Sequence, residues 1–173
     1  MTVEELLRRY ANGDRDFSRS NLSKQNLSLA HLDHIVLKEA NLSYAALHGI
    51  DLLCANLSSA NLVAAKLIGA NLTGADLTKS NLSNALLSST ILVGACLARA
   101  TLQQASLNYS DLSGVNFRDA DLQDANFRGA NLSGADLLGA NLQQTDLTDA
   151  LLQDTIMPDG SIVSSTLSTA EDS

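Results

Sequence analysis

From Phe17 to Leu152 every fifth residue is leucine or phenylalanine, in one unbroken register. The series has 28 members: Phe17, Phe117, Phe127 and 25 leucines. Alanine stands two residues before 18 of them, and Asn or Asp stands immediately before 18. The stretch ANLSGADLLGANL at 130–142 shows the unit undiluted, A-(N/D)-L-x-x. A period of five fits neither regular element. In an α-helix five residues turn the chain by about 500°, so successive leucines drift around the axis and no apolar stripe forms. In a flat strand the side-chain period is two, so an odd spacing sends successive leucines to opposite faces. The chain must therefore bend once per pentad, always in the same sense. Leu and the Ala two before it share the inside of the bend, and the Asn or Asp between them points out. Repeated bends wind coils that stack through backbone hydrogen bonds at about 4.8 Å.

The glycines set the number of sides. Eight of the ten lie two residues after a Leu or Phe centre, and Gly74, Gly94, Gly114 and Gly134 are spaced by 20. The row Lys24, Tyr44, Ala64, Asn84, Gln104, Asp124 and Gln144 has none. Four pentads per coil explain this segregation; three would scatter it. The glycine site is the third residue of a β-turn, where a type II turn requires positive φ. The glycine-rich edge is thus expected to be type II and the glycine-free edge more type I-like. The 28 pentads make about seven coils and a rod about 34 Å long. Leu42, Leu57, Leu72, Leu82 and Leu102 are predicted core residues. Phe117 and Phe127, ten residues apart, should face each other across one coil.

The ends break the pattern. Thr2 followed by Glu5 reads as a capping box, and Leu6, Leu7 and Tyr10 recur at helical spacing before Gly13. Residues 3–11 are therefore expected to form a short α-helix in an N-terminal cap over 1–14, lidding a solenoid over 15–157. Pro158, Asp159 and Gly160 mark a turn that closes the last coil. Met157 and Ile162 keep the core register, and so does Leu167. The Ser/Thr-rich stretch to Ser173 is expected to be loose.

These A-(N/D)-L-x-x units resemble the pentapeptide repeat family over residues 15–157. The resemblance implies an all-β fold, a right-handed quadrilateral β-helix. The opening VEELLRRYANGDRDF and the closing TIMPDGSI resemble the ends of cyanobacterial members, among them a regulator of heterocyst differentiation. Ile35, Val36 and Lys38 depart from the consensus, as do Leu86, Ile91 and Leu151 at the usual Asn/Asp site. No insertion interrupts the repeat, unlike members with functional loops between coils.

Composition narrows the function. The chain has 173 residues, net charge −8, 3% aromatics and no Trp, so its interior is filled by small, uniform side chains. An acidic balance opposes direct nucleic-acid binding. The N-terminus has no apolar leader region and no stretch is long and apolar enough to span a membrane. A cytoplasmic protein, monomeric or weakly dimeric, is expected. Residues 1–110 carry 9 basic and 8 acidic residues, whereas 111–173 carry 2 and 11. Some members of the resembled family mimic DNA and bind DNA gyrase, so gyrase inhibition is one reading of this acidic half. The aspartates scatter over four sides, however, and do not form one stripe.

His31, His34, Asp51 and Cys54 fall on one side of the first two coils and are a weak candidate for a metal site, so metal or small-ligand binding is a third reading of the function. Cys54 and Cys96 lie about two coils apart, beyond disulfide reach. No nucleophile–base pair stands out and a filled interior leaves no pocket, so neither enzymatic activity nor a cofactor is expected. Leu53, Ile68, Leu86, Ile91 and Val93 place apolar side chains at outward or corner sites, on two adjacent sides. Clustered exposed apolar residues mark partner surfaces. The leading expectation is a non-enzymatic scaffold for protein–protein interaction, regulatory by resemblance to the cyanobacterial members.

Overall fold

The computed structural model describes residues 1–164. Asp16 pairs with Val36, Asn21 with Asn41, and so on without a gap to Asp136 with Ile156. Each is a parallel bridge between residues 20 apart, so one coil holds four pentads. The four sides are named here from the first coil: the first holds Phe17, the second Leu22, the third Leu27 and the fourth Leu32.

The pentad closes because each of its backbone donors finds an acceptor. Around Leu62, the Leu62 N–H donates to the Asn81 carbonyl at 2.7 Å and the Ala64 N–H to Ser83 at 2.9 Å. The Ala65 N–H closes the turn on the Leu62 carbonyl at 3.0 Å, and the Lys66 N–H reaches back to Ala45 at 2.9 Å. That leaves the Val63 N–H. It donates to Oδ1 of Asn61 at 3.2 Å, an Asx turn two residues long. The same closure recurs at all 18 Asn/Asp sites of the series. The outward Asn/Asp is therefore a structural residue, beyond the solubilising role its exposure suggests. Hydrogen bonds from Ser18 and Thr148, side chain first and backbone second, hold the Asp16 and Asp146 carboxyls below the ordinary carboxylate range.

The corners correct one expectation. All 28 third-of-turn positions have positive φ, at eight glycines and twenty other residues. The glycine-free edge is no exception: Lys24, Ala64 and Gln104 sit at φ 60°, 53° and 58°. The four corners share one left-handed conformation, and the type I-like edge does not exist. The reason is the coil itself, since each corner must turn in the same sense whatever residue occupies it.

Leu and Phe centres fill the bore with the alanines between them. Leu42, Leu57, Leu72, Leu82, Leu102, Phe117 and Phe127 are all buried. Each such burial contributes about 1.5–3 kcal/mol. The Phe117 and Phe127 rings meet edge to face with centroids 5.9 Å apart. Ser80 and Thr90, at inward sites, satisfy their hydroxyls on the carbonyls of Leu77 and Leu87 at 2.7 Å. A small polar side chain is tolerated inside because the turn carbonyl stands three residues behind it.

At the N-terminus, α1 (Val3–Ala11) starts at Thr2, whose hydroxyl accepts from the Glu5 N–H at 3.2 Å. Leu6 is buried with the coil leucines. The Tyr10 hydroxyl donates to the carbonyl and Oδ1 of Asp33, each at 2.9 Å. Burial, then the Asp33 bond, raises the Tyr10 pKa. The Arg9 guanidinium lies 4.9 Å over the Phe17 ring. At the C-terminus, β1 (Thr155–Ile156) pairs antiparallel with β2 (Ile162–Val163) around the turn at Pro158. Ile162 does not keep the core register: it is exposed, because the antiparallel return carries the chain off the helical path. The expectations for Leu167 and the loose end fall on 165–173 and lie outside the described residues.

Two outcomes follow for stability. Leu72→Asp places an unpaired charge in the bore and is expected to unfold the rod or cost more than about 4 kcal/mol, whereas Thr73→Asp stays within about 0.5 kcal/mol; chemical denaturation followed by circular dichroism measures both. The depressed Asp16 and Asp146 carboxyls contribute stability above the unfolded carboxylate pKa, and it is lost as pH falls through their folded values. Thermal melts should therefore fall between pH 5 and pH 3, less steeply in Asp16→Asn/Asp146→Asn, where the amide keeps the turn at any pH.

Candidate protein-interaction surface

Ten of the 28 pentads lack Asn or Asp before the centre. Their turns have no Asx closure. The N–H groups of Ser88 and Val93, two residues after Leu86 and Ile91, have no acceptor among the described residues. A net hydrogen bond is worth about 0.5–1.5 kcal/mol. Leu86 and Ile91 forgo it and expose 39% and 46% of their surface instead. They occupy neighbouring sides of one coil, with Ser88 and Ser89 at the corner between them. Leu86 bridges to Lys66 and Ser106 above and below it; Ile91 bridges to Asn71 and Asp111.

The other three predicted surface residues divide. Ile68 is exposed and lies at the corner between the third and fourth sides, one coil before Ser88. Leu53 and Val93 are half-buried and lie at the far corner of the fourth side.

Two more apolar residues join Ile68 on its edge. Leu29 and Tyr109 are 73% and 64% exposed and share the corner row of Gly49, Gly69 and Gly129. Each leans on the glycine of the next coil. A Cβ at Gly49 would lie 2.8 Å from Leu29 Cδ2, and one at Gly129 would lie 2.7 Å from Tyr109 Cδ1. These glycines thus receive a neighbour's side chain, a role that turn conformation alone does not require. Sequence reasoning missed Leu29 and Tyr109; the available signal was a large apolar residue followed by Gly 20 residues later.

The weak metal candidate does not assemble. His31 Nδ1 lies 3.9 Å from Asp51 Oδ2. His34 and Cys54 are corner residues at φ 55° and 52°, three positions further along their sides. Among the described residues no three His, Cys, Asp or Glu side chains converge as a metal site, and no cavity opens on the surface. Cys54 and Cys96 are free thiols. No helix among the described residues is long and apolar enough to cross a membrane.

In the acidic half, Asp111, Asp121, Asp136 and Asp146 lie on the fourth, second, first and third sides. Several are engaged. Arg118 Nε lies 2.6 Å from Asp136, Arg128 3.4 Å from Asp149 and Arg99 3.6 Å from Asp119. Gln103 and Asn141 donate to Asp121 at 2.7 and 3.0 Å.

The family model for pentapeptide repeats matches eight copies, over residues 16–52, 55–94, 95–134 and 116–154. The chain is a pentapeptide repeat protein. Members of this family fold as right-handed quadrilateral β-helices. Among solved structures, QnrB1, a plasmid-mediated fluoroquinolone resistance protein, is similar at 18% identity and a TM-score of 0.77, covering 87% of this chain and 84% of that one. That likeness is one of fold. HetL of Nostoc sp. strain PCC 7120, involved in heterocyst differentiation regulation, is 33% identical over 94% of this chain and all of its own, with a TM-score of 0.36. Rfr23 of Cyanothece 51142 is 28% identical over 90% and 99%, with a TM-score of 0.29. Among curated proteins none matches the chain.

The stacking of corner side chains on glycine in this pentapeptide repeat protein predicts a measurable coupling. Gly129→Ala is expected to cost about 1–2 kcal/mol, from positive φ plus displacement of Tyr109. In a Tyr109→Ala background the cost should fall by about 0.5–1 kcal/mol, read as the interaction energy of a double-mutant cycle in urea.

Proposed function

We infer that this protein is a non-enzymatic scaffold that binds a protein partner through the apolar residues around Leu86 and Ile91. One observation carries the reading. At these two sites a residue that would satisfy the turn's outward N–H gives way to one that leaves that N–H without an acceptor among the described residues and its own side chain partly in water. Neither change helps the fold. Sites that work against stability are where function is held. Ile68, Leu29 and Tyr109 extend the same edge along four coil steps, about 19 Å. Regulation of a partner by occlusion or tethering is the role a rigid, insertion-free rod of this kind serves. Gyrase binding by DNA mimicry stands as the second reading, favoured by the excess of carboxylates after residue 110. Their spread over four sides and their pairing with Arg99, Arg118 and Arg128 supply no continuous anionic row, so the apolar edge is preferred.

The test separates function from folding. Leu86→Asn and Ile91→Asn restore the Asx closure and should raise stability by about 0.5–1 kcal/mol each. The same changes should abolish recovery of a partner that the wild-type protein captures from its source cells. Captured proteins that are identical for wild type and the stabilised double variant would defeat the reading.

A further inference from the structure

The loss of Asx closure is not spread evenly. The outward row of the third side runs Asn26, Ala46, Lys66, Leu86, Ser106, Asn126 and Asp146. Four consecutive coils lack Asn or Asp there. The other three rows contain no such run: the second side departs once, at Thr101, and the first at Val36 and Cys96. In the four coils of the third side, the N–H groups of His48, Ile68, Ser88 and Asn108 have no acceptor among the described residues. They form a row of donors, one per coil, at about 4.8 Å spacing.

Charge separates this side further. Residues 26–30, 46–50, 66–70, 86–90, 106–110 and 126–130 contain no Asp or Glu, in a chain that carries 19. Every other side has an acidic residue within those six coils, through Asp16, Asp121 and Asp33 among others. Lys66 is exposed at the centre of the row and forms no ion pair among the described residues. Its stacking neighbours are Ala46 and Leu86.

We propose that the third side, from Ala46 to Tyr109, is a docking face for an acidic protein segment that also carries apolar residues. Carboxylates of the partner answer Lys66 and the free N–H row. Its apolar side chains cover Ile68, Leu86 and Tyr109. This rests on the scaffold reading above and adds the chemistry of the partner. A basic or nucleic-acid partner is a poor match for different reasons: Lys66 repels the first, and one lysine is too little charge for the second.

Peptides of about ten residues combining Glu and Leu, and the same peptides with Lys in place of Glu, provide the probe. Binding to the full chain is read by fluorescence anisotropy at low and physiological salt. The Glu–Leu peptides should bind, weaken with salt, and weaken about tenfold or more on Lys66→Glu and on Leu86→Asn. The Lys–Leu peptides should not bind the wild type and should gain affinity for Lys66→Glu. Equal binding of both series, or binding untouched by Lys66→Glu and Leu86→Asn, overturns the proposal. Absence of any peptide binding, while Leu86 and Ile91 still govern capture from cells, overturns the acidic chemistry and leaves the scaffold reading standing.

Discussion

The structure depends on finding acceptors for most of the five backbone N–H groups that each pentad brings. A coil that turns at each pentad cannot pair all of them with its neighbours. Two reach the coil above, one reaches the coil below, and one closes the turn. The fifth points out of the corner. Supplying its acceptor from a side chain two residues earlier is the least disruptive solution, because an Asx turn needs no further ordering of the chain. In the 18 pentads that have one, the Asn/Asp is thereby as structural as the leucine or phenylalanine beside it, although one faces water and the other the bore.

That constraint also explains the uniformity of the corners. Once the turn is fixed, its third residue must adopt positive φ, and it does so with Lys, Tyr, Gln or Asp as well as with Gly. Glycine then answers a second demand. Where a large corner side chain leans on the next coil, as Leu29 does on Gly49 and Tyr109 on Gly129, a Cβ would collide with it. Local conformation and inter-coil packing act together at Gly49 and Gly129, whereas an added Cβ at Gly69, Gly94, Gly114 or Gly134 would meet nothing within 4 Å, so there positive φ is the only demand.

Departures become visible against this background because the repeat is so regular. A globular surface offers no reference for what a residue ought to be. A repeat offers one at every position. Departures that retain a hydrogen bond or bury a methyl group have a structural explanation. Leu86 and Ile91 do neither, and Ala46, Lys66 and Ser106 extend the departure along one side. Acidic residues are missing from that side through six coils, which sets its chemistry apart from the acidic rod around it.

The sequence alone determined the period, the inward leucines and alanines, the 20-residue coil, the helix at Val3–Ala11 and the meeting of Phe117 with Phe127. All of these follow from spacing, since a strict register admits one way of turning the chain. It also pointed to Leu86 and Ile91, as apolar residues in polar places. Tertiary structure decided what spacing cannot express. It showed that every corner is left-handed, that Ile162 turns away from the core, and that His31, His34, Asp51 and Cys54 stack as separate pairs. It gave the outward Asn/Asp its acceptor role and brought Leu29 and Tyr109 to the edge beside Ile68. For the stacked pairs and the apolar edge the physical reason is that side-chain lean is set by contacts between coils, 20 residues apart; the Asx closure and the return before Ile162 are local, but their hydrogen-bond directions follow only once the path of the chain is fixed.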